Sequence, residues 1–85
     1  MFEILLDIPA QKSLKKFDRK TALRIIESIE KLAEDPIPHD SKRVIGMKEK
    51  IFRIRVGKFR ILYRVDYKNL FLVVIKIDSR EHAYS

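Results

Sequence analysis

The chain has no cysteine, no tryptophan, two glycines and two histidines among its 85 residues. Without cysteine there is no disulfide scaffold, no thiol nucleophile and no thiolate zinc site. His39 and His82 stand too far apart for an H-x-x-x-H or H-E-x-x-H spacing, so neither a metal nor another cofactor is expected. Two glycines cannot build a phosphate loop of the G-x-x-x-x-G-K-[ST] type. The longest apolar run, residues 70–75, falls far short of the ~20 residues that cross a bilayer. The N-terminal stretch carries Glu3 and Asp7 inside its apolar run and has no basic leader region, so secretion is not expected. A cytoplasmic protein with no membrane partner is the expectation.

What the chain does have is positive charge, unevenly placed. Nineteen Lys and Arg against twelve Asp and Glu give +7. Residues 1–40 hold seven basic and eight acidic side chains, whereas residues 41–85 hold twelve and four. The surplus therefore belongs to the C-terminal half, and it calls for an anionic partner, nucleic acid foremost. At 46% hydrophobic and 36% charged the chain has the composition of a folded protein. Its length fits a single domain, 1–85, with one core.

Residues 1–8 read as a short strand. Pro9 suits the first turn of a helix, and Ala10, Leu14 and Phe17 give that helix an apolar stripe through about Lys16. Asp18 can cap a second helix, whose stripe is Ala22, Ile25, Ile26, Ile29, Leu32 and Ala33. Asp35-Pro36-Ile37-Pro38 stops it. A polar linker follows, from His39 to Lys42 and as far as Lys50. Beyond it the apolar period changes from 3.6 to 2. Phe52, Ile54 and Val56 alternate with Arg53 and Arg55; after Gly57-Lys58, Phe59, Ile61, Tyr63 and Val65 alternate with Arg60, Leu62 and Arg64. Glycine first in a two-residue loop predicts a type II′ hairpin. A second turn at 66–69 leads to a nearly continuous apolar run at 70–77, the pattern of a strand covered on both faces. The expected fold is α+β, in the order β-α-α-β-β-β. Two N-terminal helices pack on one face of a mainly antiparallel four-stranded sheet.

A two-residue loop at Gly57-Lys58 fixes the hairpin register. Val56 faces Phe59, Arg55 faces Arg60, Ile54 faces Ile61 and Arg53 faces Leu62. One face then carries Phe52, Ile54, Val56, Phe59, Ile61 and Tyr63 for the helices to cover; Tyr63 belongs to this core. The other carries Arg53, Arg55 and Arg60. Like charges about 5 Å apart repel by roughly 1 kcal/mol in water and roughly 3 kcal/mol at an effective dielectric of 20. Exposed charges on an open sheet also serve solvation and edge protection. Three arginines at this spacing, with no acidic residue between Lys50 and Val65, favour a bound polyanion instead. Beside them the tail Ser79-Arg80-Glu81-His82-Ala83-Tyr84 offers another cation and two proton-transfer groups. Attack of an RNA 2′-hydroxyl on the adjacent phosphorus needs a proton acceptor, cations for the developing charge and a proton for the leaving 5′-oxygen. Arginine fits the second role and, always protonated, cannot fill the first. That leaves His82 or Tyr84 for proton transfer, and Tyr84 could instead stack on a base.

At these residues the sequence resembles the RelE/ParE toxin superfamily, on its RelE side. The resemblance runs through the helical pair, Gly46-Met47, Ile51-Phe52-Arg53-Ile54-Arg55-Val56, Gly57-Lys58-Phe59-Arg60-Ile61-Leu62-Tyr63-Arg64-Val65, the stretch 73–78 and Arg80 to Tyr84. It implies a toxin that cuts mRNA in the ribosomal A site without a metal, and a cognate antitoxin that neutralises it by direct binding. Arg60 and Arg80 match family arginines that stabilise the scissile phosphate. Tyr84 matches a C-terminal tyrosine that orients the substrate or activates the 2′-hydroxyl, with His82 a secondary proton-transfer candidate. Arg53 and Arg55 fall where well-studied relatives have lysines, which keeps the cationic role and removes any general-base role there. Superfamily members also include inhibitors of DNA gyrase that cut nothing. A ParE-like inhibitor is therefore the alternative, and a degenerate basic nucleic-acid binder a third reading.

Overall fold

Alternation in the first strand and in the hairpin sorts side chains onto two faces of one sheet, and both helices lie on the same face. The computed structural model describes residues 1–79. The elements are β1 (Glu3–Leu6), α1 (Ile8–Lys16), α2 (Arg19–Glu34), β2 (Lys42–Arg43), β3 (Phe52–Val56), β4 (Phe59–Asp66) and β5 (Phe71–Ser79). They form a five-stranded mixed sheet in the order β1-β5-β4-β3-β2, with β1 parallel to β5 and the other pairs antiparallel.

The helices begin and end where local chemistry directs. Pro9 sits in the first turn of α1, where a missing N–H costs nothing. Asp18 holds the extended N-cap backbone of α2 but forms no side-chain cap bond. Asp35 closes α2, its N–H donating to the Lys31 carbonyl at 3.1 Å, and Pro36 cannot continue the ladder. Ile25, Ile29 and Leu32 from α2 and Ala10 from α1 pack on Ile54, Val56, Ile61, Tyr63, Leu72, Val74 and Ile77. Burying each large member of this set contributes roughly 1.5–3 kcal/mol.

The hairpin register is the one the sequence predicts, residue for residue: Val56 opposite Phe59, Arg55 opposite Arg60, Ile54 opposite Ile61, Arg53 opposite Leu62. Gly57 has φ +60 and Lys58 has no positive φ, which is the type II′ pattern. A Cβ on Gly57 would also come within 3.2 Å of the Arg24 guanidinium, which lies over the turn. The second turn is organised by Asp66, whose carboxylate accepts from the Lys68 and Asn69 N–H groups at 3.0 Å and from Asn69 Nδ2 at 2.9 Å. These bonds, the Asn69 side chain foremost, hold the Asp66 carboxyl below its usual pKa.

Two features depart from the sequence reading. The fifth strand is β2, two residues inside the expected linker, which pairs Lys42 with Arg53 and Arg43 with Phe52. Two residues are too few to show a period, so only the tertiary pairing reveals them. The other is a bulge: Leu62 pairs with Lys76 but Tyr63 pairs with Val74, so Ile75 is an extra residue in β5. With Ile77 facing the helices, strict alternation would send Val74 and Leu72 to the open face. The inserted Ile75 returns both to the core while Lys76 and Asp78 stay outside.

Tyr63 joins this core to the loop after α2. Its ring is wholly buried and its hydroxyl donates to the Pro36 carbonyl at 2.7 Å. Burial, aided by the Asp35 and Asp40 carboxylates, pushes its pKa up to about 12. The unfolded tyrosine ionises near pH 10, so the native state binds more protons between the two values and stability falls as pH rises through that window. Equilibrium denaturation between pH 9 and pH 12 is expected to show a loss of roughly 2 kcal/mol. In Tyr63→Phe that slope is expected to disappear.

Candidate nucleic-acid interface

The register of β2 to β5 lays the open face out in cross-strand rows. One row runs Lys42, Arg53, Leu62, Lys76; the next runs Arg55, Arg60, Asp78. Five cations thus share the face with one carboxylate, and Lys76 Nζ already engages that carboxylate at 3.3 Å. The self-repelling cluster expected from the sequence is present. Arg64, one row further, has its own carboxylate, Glu49 at 3.9 Å, an exposed pair of little energetic weight.

A cleft of about 410 Å³ opens on this face, with Arg53, Arg60, Leu62 and Asp78 from the sheet and residues 43–45 from the end of β2 lining it. Arg53 and Arg60 are half-buried and come together there. Arg55 does not line it. Although opposite Arg60, it is exposed and borders a separate depression of about 320 Å³ that Asp35 and Asp40 also line. Beyond Arg53, β3 has no further pairing to β2, so Arg55 stands at a free sheet edge. Arg80, His82 and Tyr84 lie outside the described residues. His39 is an exposed loop residue.

Arg60 carries the distinctive electrostatics. Its Nε is shut off from solvent and has no hydrogen-bond partner among the described residues. A buried donor on a charged group left in this state costs about 1–3 kcal/mol, which an acceptor recovers only when the packing that closes the atom off from solvent opens to admit it. Phosphate oxygens match both the charge and the planar fork of a guanidinium. Among the described residues no group of three His, Cys, Asp or Glu could hold a metal ion. The arginines that line the cleft are of a type suited to anion binding and to stabilising developing negative charge.

Sequence reasoning missed Lys42, Arg43, Ile45, Lys76 and Asp78 as neighbours of this site. For Lys42 and Arg43 the obstacle was the two-residue strand. Lys76 and Asp78 were hidden because the bulge breaks the alternation that would have assigned their face. Leu62 was visible as the apolar member of the Arg60, Leu62, Arg64 alternation.

If the Arg60 Nε is a stored cost, removing it should relieve the fold. Arg60→Met is expected to leave the thermal midpoint unchanged or raise it, by ~4–8 °C for each kcal/mol recovered. A drop of that size in calorimetry would make Arg60 a structural residue instead.

Comparison with known proteins agrees with the fold. A family model described as the ParE toxin of type II toxin–antitoxin system, parDE, matches residues 4–84. The chain is 38% identical over 76 residues to "Putative toxin RelE1" of Methanocaldococcus jannaschii, covering 86% of this chain and 83% of that protein. Its fold is similar to that of the archaeal RelE–RelB complex from Pyrococcus horikoshii, with TM-score 0.80, 22% identity, and 93% and 94% of the two chains covered. The isolated E. coli RelE toxin has TM-score 0.79 at 16% identity, with 99% and 96% covered. The chain belongs to the RelE/ParE family of toxins of type II toxin–antitoxin systems.

Proposed function

We propose that this toxin blocks translation by cutting mRNA on the ribosome, as an endoribonuclease that uses its own side chains and no metal. In the reaction the 2′-oxygen attacks the adjacent phosphorus while the bond from phosphorus to the 5′-oxygen breaks. The products are a 2′,3′-cyclic phosphate and a 5′-hydroxyl. Arg60 and Arg80 take the charge that develops on the non-bridging oxygens. Arg53 and Arg55 hold the phosphate strand. Tyr84 or His82 accepts the 2′-hydroxyl proton and supplies one to the leaving oxygen. A target on the ribosome places the protein in the cytoplasm; among the described residues no helix is long and apolar enough to cross a membrane. The observation that carries this reading is the buried, unpartnered Arg60 Nε beside Arg53 in one cleft.

A cognate antitoxin is the second proposed partner. The Pyrococcus and Methanococcus relatives of this fold were both crystallised as RelE–RelB complexes. The matching family model, described as a ParE toxin, favours one other reading, a gyrase inhibitor that binds without cutting.

Purified protein added to ribosomes programmed with a defined mRNA is expected to produce new 5′-hydroxyl ends. Arg60→Ala should reduce the cleavage rate by about 10²–10³-fold, the usual loss on removing one charge-stabilising donor. Intact mRNA together with inhibited DNA supercoiling would instead establish the gyrase reading.

A further inference from the structure

Charge alone does not describe the cleft. Ile45 lines it while being 93% exposed, more than any other large apolar side chain among the described residues. An isoleucine in that position adds nothing to the core and leaves apolar area in water. Its placement is fixed from both sides. The Val44 N–H donates to the Ile51 carbonyl at 2.7 Å, holding the chain against β3 just before it. Gly46 follows at φ +93, and a Cβ there would meet nothing within 4 Å. That glycine is needed for its backbone angle, not for space, so the chain turns immediately after Ile45. Across the cleft Leu62 is the single apolar member of the row Lys42, Arg53, Leu62, Lys76.

A cleft that joins arginines to two aliphatic side chains matches a ligand with an anionic part and a flat apolar part. Bare phosphate has only the first. We propose that the cleft is a nucleotide subsite in which one base of a single-stranded RNA packs its face on Ile45 and Leu62, while the neighbouring phosphate sits on Arg60 and Arg53. This rests on the RNA-cutting function proposed above and adds to it a residue that grips the base. Asp78, the cleft's carboxylate, has one oxygen engaged by Lys76 at 3.3 Å, and the proposed contact is with the base face rather than its hydrogen-bonding edge. The subsite therefore senses that a base is present without reading which one, as aromatic platforms for single strands do.

The test is a titration of the full chain with a 2′-O-methylated RNA trinucleotide and with the same strand made abasic at its central position. Wild type is expected to bind the base-bearing strand about five-fold more tightly, the low end of face-stacking contributions. Ile45→Ser should bring that ratio to one and Ile45→Leu should preserve it. The side chain is almost fully exposed, so neither change threatens the fold. A ratio of one in wild type, as when a protein partner covers Ile45 instead, overturns the subsite, as does a five-fold ratio that survives Ile45→Ser. If wild type binds neither strand, the subsite is overturned, while the RNA-cutting reading stands or falls separately on the 5′-hydroxyl ends produced on programmed ribosomes. A graded preference among the four bases that disappears in Asp78→Asn would overturn the face-only contact.

Discussion

Helices can shield only one side of this sheet, and a single extra residue in β5, Ile75, decides which side chains that side receives. It lets Leu72, Val74 and Ile77 all meet α1 and α2 although they are not evenly spaced for a regular strand. The same insertion keeps Lys76 and Asp78 in register with Leu62 and Arg60 on the open face. Core and site are thus set by one irregularity. Removing it would exchange the two environments on half of β5, burying charge and exposing aliphatic area at once.

The open face is assembled at an energetic cost. Arg55 lies directly opposite Arg60, and the one carboxylate in the two rows is neutralised by Lys76 rather than by either arginine. The Arg60 Nε goes without a partner in a place water does not reach. Such arrangements persist when the rest of the fold over-determines them. Here the hairpin is locked by the Gly57 turn on one end and by the Tyr63 hydroxyl on Pro36 near the other. A toxin built this way holds the Arg60 and Arg53 guanidinium groups at one cleft before any ligand arrives, while the closed-off Nε is reached only when its cover opens.

Much of this was legible in the sequence, for identifiable reasons. Gly57-Lys58 is a turn signal strong enough to set a register, and the register alone places Arg53, Arg55 and Arg60 on one face. The helical stripes and the Asp35-Pro36 stop fixed the covering layer. Short-range signals failed where only tertiary pairing carries the information. Lys42 and Arg43 make a strand because β3 offers an edge, and the bulge is invisible inside a run where every residue is apolar. That Arg55 would stand outside the cleft also depended on where β2 ends. Ile45 showed no sequence signal at all, since an apolar residue in a loop looks the same whether it is covered, exposed or waiting for a ligand.

If the cleft binds RNA as proposed, the unpartnered Nε–H of Arg60 receives a phosphate. Its ¹H–¹⁵N resonance, assigned by comparison with Arg60→Lys, reports on that atom directly during titration with a non-cleavable single-stranded RNA. A large downfield proton shift and slowed exchange are expected for Arg60, with the Arg24 Nε–H over the far turn unmoved. An Arg60 resonance that stays fixed while other arginine signals respond to the RNA would contradict it.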